Sequence, residues 1–357
     1  MTGPEPVIPE TPGDITAPWL SNALGREVTT VTAKNLGEGV GVMAEVTRLH
    51  IAYGDGVDGP ATLIAKTQSP ADSNRELAST FGFYARELAF YQHVASDLDL
   101  RVPTCHFATG APGGAPFVLL LEDVADARQL DQMAGISLAD TEAVIDEIAK
   151  LHAHWWDSPA LDSLDWLPPM NNDLYKGFGQ VLPDLSGLLK QQWGDRLDPA
   201  GMPWLDAITG RYTEILDWLV ASSPVTFCHY DLRPDNILVE PTGICVLDWQ
   251  LAVRNRGAFD IAYFLGQNVP TEFRRSHEQT LVRRYHDAIS ARGVTGYSFD
   301  QCFDDYRSSM LMHLVSATQI QMLEGGNDRG QQLLDAMLTQ GWQSAVDLNA
   351  GDFLDQF

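Results

Sequence analysis

Between residues 28 and 53 the chain alternates apolar and polar positions with a period of two. The segment VTTVTAKNLGEGVGVMAEVTRLHIAYGDG predicts strand, Gly-rich turn, strand and a second turn at Gly54–Gly59. ATLIAKT follows as a third, buried strand. The period then lengthens. Leu77, Phe81, Tyr84, Leu88 and Tyr91 recur along one face, which predicts a helix over 72–96. APFVLLLEDV is a further apolar strand that runs into two acids. Upstream, DITAPWLSNALG reads as a short helix over 14–25 with Asp14 as its N-cap. Beyond residue 125 the pattern is helical, in DTEAVIDEIAKLHAHWWD, MPWLDAITGRYTEILDWLV and FDQCFDDYRSSMLMHLVSATQIQMLE. One β-rich stretch, VTFCHYDLRPDNILVEPTGICVLDWQ, interrupts it. The expected fold is α+β and bilobal: a loose tail over 1–13, a small β-rich N-lobe with one key helix over 14–121, a connector over 122–125, and a larger, mainly helical C-lobe over 126–357.

The β-rich interruption concentrates the chemistry. NILVE and ICVLDW predict two strands joined by a three-residue loop, Pro241-Thr242-Gly243. Pairing Glu240 with Ile244 runs back to set Asn236 opposite Asp248, at about 4.5–5.5 Å between Cβ atoms. An amide oxygen and a carboxylate so placed suit a hard cation such as Mg²⁺. Asp231, in HYDLRPD, is held close by the turn that Pro234 stiffens. An ordinary polar turn is the alternative for this segment. Lys66 ends the buried strand TLIAK, where an unpaired cation is costly, and Glu87 lies on the following helix among aromatic positions. An ion pair between them answers both demands; a snorkelling lysine and an exposed glutamate are the alternative. The glycines of Leu36-Gly37-Glu38-Gly39-Val40-Gly41 let backbone N–H groups approach phosphate oxygens, though such clusters also make plain hairpins.

Composition narrows the possible partners. The 357 residues are 45% apolar and carry a net charge of −25, which argues against nucleic acid and anionic membrane as partners. The acidity suits a neutral or cationic second substrate, or equally a solvated surface. The four cysteines, Cys105, Cys228, Cys245 and Cys302, form no C-x-x-C pair and fit a reducing cytoplasm. The acidic, Pro-rich start lacks the features of a signal peptide, and no apolar run approaches a membrane span.

Together these residues resemble the eukaryotic-like kinase signature set: Gly-rich loop, strand lysine, helix glutamate, catalytic loop and metal aspartate. The closer resemblance is to the aminoglycoside-phosphotransferase, choline-kinase and ecdysteroid-kinase-like families. FYARELAFYQHV, IAKLHAHWW, HYDLRPDNILV and VLDWQ with GAFDIAYFL carry it, in order, over roughly 30–270. Gln250 after the metal aspartate points to the ecdysteroid-kinase-like branch. The resemblance implies a protein-kinase-like fold and transfer of the ATP γ-phosphate to the hydroxyl of a small molecule. Asp231 is then the catalytic base, and Arg233 reaches the γ-phosphate. Asn236 and Asp248 bind Mg²⁺. Lys66, steadied by Glu87, holds the α- and β-phosphates, with Gly37, Gly39 and Gly41 covering them. The backbone of Glu122, Asp123 and Val124 forms a hinge that meets the adenine, and His229 buttresses the loop. The space between Trp249 and Gly257 leaves no long activation loop, which disfavours protein substrates.

The match departs from the pattern in places. The glycine loop is G-E-G-V-G rather than a full G-x-G-x-x-G, and Tyr230 stands where a small residue or arginine is usual. A catalytically silent nucleotide-binding protein and a nucleotidyl transferase on the same fold remain rival readings. Residues 157–224 hold ten acids against four bases; as an acidic wall they would suit an amine-bearing acceptor, as solvated side chains they would mean nothing. His152 and His154, two residues apart on a helix, make a poor metal pair. Trp155, Trp156, Trp193, Trp204 and Trp218 are expected to be mostly core.

Overall fold

The alternating segments form a five-stranded antiparallel sheet in the order β1 (Val28–Asn35), β2 (Ala44–Tyr53), β3 (Thr62–Gln68), β5 (Phe117–Glu122) and β4 (Cys105–Gly110). The structure, a computed structural model, describes residues 7–36, 43–323 and 327–356. It divides into two compact units. The first takes the described residues up to Asp97, Val102–Ala127 and Leu247–Gln250; the second takes Leu98–Arg101, Arg128–Val246 and the chain from Leu251 onward. The fold is α+β, as the pattern predicts, with an antiparallel sheet in one unit and mostly helix in the other.

In the first unit each sheet face has its own cover. Ile15 and Leu20, the latter on α1 (Ala17–Leu24), pack with Leu49, Ile51, Leu63, Ala65, Val118 and Leu120. The alternate positions of β5 face the other way, and the ring of Phe117 stacks on Tyr84 at 4.4 Å. Two expectations are corrected here. Asp14 does not cap α1: it ends a single 3₁₀ turn and bonds back to Thr11, while Thr16 caps the helix. The segment 72–96 is not one helix. It is α2 (Asp72–Thr80) and α3 (Phe83–His93), broken at Gly82, whose φ of +68° suits glycine. Leu77 consequently leaves the apolar face and is exposed, whereas Tyr84, Leu88 and Tyr91 are buried.

The second unit is built from α4 (Leu138–Trp155), α5 (Asp173–Gly177), α6 (Leu182–Trp193), α7 (Gly201–Ala221), α8 (Ala258–Gln267), α9 (Thr271–Ala291), α10 (Phe299–Ser309), α11 (Leu311–Ile320) and α12 (Asp328–Asp347). The long helix expected over 299–324 is two, with Met310 at the junction. Two small sheets lie among them: β6 (Arg128–Gln129), β8 (Ile237–Glu240) and β9 (Gly243–Val246), and β7 (Thr226–Cys228) with β10 (Val253–Asn255). The hairpin register is corrected by one residue. Glu240 pairs with Gly243, not Ile244, so the loop is the two residues Pro241-Thr242 and the ladder ends at Ile237↔Val246. Neither Asn236, in a 3₁₀ turn, nor Asp248 belongs to the ladder. The tryptophan expectation also needs revision: of the five, Trp193 is buried and the rest are half-buried, while the fully buried indoles are Trp249 and Trp342. Several acids of 157–224 are paired rather than forming a bare wall: Asp206 with Lys190, Asp217 with Lys176, Glu214 with Arg211, Asp162 with Arg254.

Candidate active site

On β3, Leu63 and Ala65 point into the cluster under α1, so Lys66 must point to the opposite face, where α3 lies. There its Nζ stands 2.7 Å from Glu87 Oε2 and 2.9 Å from Asp248 Oδ1. Burial alone would discharge this ammonium. Asp248 and Glu87 overcome that cost and hold its pKa above the ordinary lysine value. Glu87 is raised by burial and, against the pull of Lys66, by Asp248 on the same cation. Asp248 has a left-handed backbone, φ +64°, and its Oδ2 accepts a hydrogen bond from the Gln250 amide at 3.3 Å. Trp249 between them stacks on Phe90 of α3, rings 4.1 Å apart and 9° from parallel. Arg86 of the same helix donates to the Gln250 carbonyl at 3.1 Å. The D-W-Q segment is thus fastened to the helix that carries Glu87.

In the second unit the loop between β7 and β8 is pinned by Asp260, the third residue of α8. Its buried carboxylate accepts the N–H groups of His229 at 2.7 Å and Tyr230 at 2.9 Å. His152 Nε2 stands 3.1 Å from it, and Tyr285 holds the other ring nitrogen at 2.9 Å. Tyr230 takes φ +69°, and the chain turns so that Asp231 donates its N–H to His229 Nδ1. The Asp231 carboxylate accepts from Tyr263 Oη at 2.9 Å on one oxygen and from Asn236 Nδ2 at 3.0 Å on the other. Burial, with Asp231 alongside, raises the Tyr263 phenol well above its ordinary value, so it stays a donor. Asn236 spends its amide nitrogen on Asp231, which assigns its oxygen to any cation. Arg233 lies between two carboxylates, 3.4 Å from Asp231 and 3.2 Å from Asp235.

Sequence reasoning located Lys66 with Glu87, and Asp231 with Asn236 and Arg233, and the structure brings each group together within its own unit. His229 buttresses the loop as expected. Gly37, Gly39 and Gly41 lie outside the described residues. At 122–124, the Glu122 N–H is committed to the Thr104 carbonyl at 2.8 Å, Asp123 pairs with Arg48 at 2.7 Å, and the Val124 carbonyl accepts from Ala127. Two residues and one contact went unread. Asp260 and Tyr263 sit within GAFDIAYFL with nothing local to mark them as site residues, and the bond from Lys66 to Asp248 spans 182 positions. His152, Cys228 and Asp260 come close enough to share a metal. The His152 nitrogens and the Asp260 oxygens are instead taken by hydrogen bonds, and burial raises the Cys228 thiol well above its ordinary value, away from the thiolate a metal needs.

Residues 55–297 match the Phosphotransferase enzyme family, and the chain belongs to it. Among curated proteins, none matches the sequence. Solved structures share the fold at low identity. Choline kinase from Cryptosporidium parvum Iowa II is 11% identical with a TM-score of 0.56, over 97% of this chain and 94% of that one. Ethanolamine kinase from Plasmodium vivax is 11% identical with a TM-score of 0.55, over 96% and 86%. A GDP complex of wild-type aminoglycoside 2′-phosphotransferase-IIIa is 14% identical with a TM-score of 0.51, over 91% and 94%. The chain is therefore a phosphotransferase-family enzyme with the kinase-like fold of these proteins. The match stops at the superfamily and does not single out the ecdysteroid-kinase-like branch.

Proposed function

We propose that this protein is a small-molecule kinase that transfers the γ-phosphate of ATP to an acceptor hydroxyl. The observation that carries this is the Asp231 carboxylate, fixed by Tyr263 and Asn236 on a loop that Asp260 clamps, with 13% of its side chain still accessible. A carboxylate so held suits a base that takes a hydroxyl proton as the oxygen attacks phosphorus. The GDP complex and the choline and ethanolamine kinases among the similar structures support nucleotide use and a small acceptor.

Each further residue has a role in this reading. Lys66, steadied by Glu87, binds the α- and β-phosphates. The Asp248 carboxylate and the Asn236 amide oxygen are hard donors that fit Mg²⁺, which when bound neutralises phosphate charge. Arg233 offers its guanidinium to the γ-phosphate, and the backbone at Glu122–Val124 receives the base. The four cysteines, none of them in a disulfide, suit a cytoplasmic setting, and no described helix is long and apolar enough to cross a membrane.

Asp231→Ala tests the reading. Transfer from labelled ATP to an alcohol panel is expected to fall by about 10²–10⁴-fold, with nucleotide affinity by calorimetry nearly unchanged. Unchanged turnover in that variant removes Asp231 from its role.

A further inference from the structure

Arg233 is shared between two carboxylates, and neither contact is tight. Its Nε stands 3.4 Å from Asp231 Oδ2 and its Nη1 3.2 Å from Asp235 Oδ2, whereas a charge-assisted bond closes to about 2.7–2.9 Å. Both carboxylates are set from α8. Tyr263 holds Asp231 through its hydroxyl at 2.9 Å. Just past the end of the same helix, Asn268 donates to the Tyr263 carbonyl at 2.7 Å and accepts from the Gln132 side-chain amide at 2.9 Å. Gln132 in turn gives its backbone N–H to Asp235 Oδ1 at 3.1 Å. Gln132, Asn268 and Asp235 are all buried. One helix therefore fixes both sides of the gap that the guanidinium spans. The Gln132 N–H alone does not call for a carboxylate, since an asparagine oxygen accepts it equally well. A buried charge at 235 needs a cation. Arg329 of α12 is 3.9 Å from Asp235 Oδ1 and bonds to Asp131 at 2.9 Å, so Arg233 is the nearer of the two.

We propose that Asp235 is a positioning residue, which draws the Arg233 guanidinium out of a closed pair with Asp231 and presents it to the γ-phosphate. This deepens the kinase reading and rests on its contact between Arg233 and that phosphate. Without the second carboxylate the guanidinium closes on Asp231 as a tight pair and turns from the phosphate. Asparagine at 235 keeps the oxygen for Gln132 but points an N–H group, not a charge, at Arg233. The substitution therefore separates the loop's shape from the placing of the arginine.

The test is calorimetry on the full chain with two nucleotides, the magnesium complexes of β,γ-imido-ATP and of ADP, which differ by the γ-phosphate. Arg233→Ala is expected to lower the preference for the triphosphate about tenfold or more, and Asp235→Asn about 3- to 10-fold, with ADP affinity within about twofold of native in both. In the Arg233→Ala background Asp235→Asn should have no further effect, because it acts through that arginine. Asp235→Glu keeps the charge but shifts it by one methylene. It should give a smaller loss that also vanishes without Arg233, and it serves if Asp235→Asn fails to fold. A native preference in the Asp235 variants, a loss that persists without Arg233, or equal weakening of both nucleotides overturns the proposal. Any of these sinks this inference alone, whereas a native chain that binds neither nucleotide defeats the kinase reading with it.

Discussion

Lys66 shows what one residue can reveal. A lysine closing an apolar strand must find a carboxylate, and the next helix offered Glu87 among aromatics, so that pair was legible. The second partner was not, because no local pattern ties Lys66 to Asp248. Their closeness follows from the stacking of Trp249 on Phe90 and the grip of Arg86 on Gln250, which are tertiary events. Lys66→Met leaves Glu87 and Asp248 without their shared cation. Urea denaturation should show a loss of about 3–5 kcal/mol, and Glu87→Gln in the same chain should recover part of it. ATP affinity should stay weak in both. A Lys66→Met protein as stable as the native one would mean the triad contributes nothing to the fold.

At the level of elements, α8 decides the geometry of the loop that carries Asp231. GAFDIAYFL was legible as a helix, and Asp231, Arg233 and Asn236 as a polar cluster needing a reason. The latch was hidden, since a first-turn aspartate looks like any residue favoured at a helix N-terminus. Asp260→Ala orphans the buried His229 N–H and the part-buried Tyr230 N–H and releases His152. It is expected to cost about 3 kcal/mol or more and to lower kcat at least about tenfold. Amide exchange at His229 and Tyr230 should quicken with it, and unaltered protection there would disprove the latch. The hairpin illustrates the opposite limit. Pro241-Thr242-Gly243 can close as a loop of two residues or three, and one slip moves every facing pair. Gly82 was similarly overlooked because the apolar period continues across the break.

For the whole molecule, acid stability follows from groups buried in the second unit. Burial pushes the His313 imidazole from 6.5 down to about 3, with Arg274 adding to the shift. The unfolded chain protonates this histidine near 6.5 while the folded one does not, so stability is full above that pH and falls as pH drops towards 3. The slope from this group is about 1.4 kcal/mol per pH unit. His313→Gln should flatten the pH dependence of unfolding between pH 6.5 and 4.5 by that amount, and an equal slope would contradict it. Asp347 acts lower. Arg275, Gln343 and Arg274 outweigh burial and hold it at about 2, and its contribution disappears only as pH falls from 3.8 towards that value. Catalysis belongs to the whole molecule too, and its most direct test is mass spectrometry of an acceptor incubated with MgATP and the full chain. The expected result is an acceptor heavier by one phosphate, formed one for one with ADP and lost in Asp231→Ala. An acceptor carrying AMP, or bound ATP with no transfer to any alcohol, would contradict it.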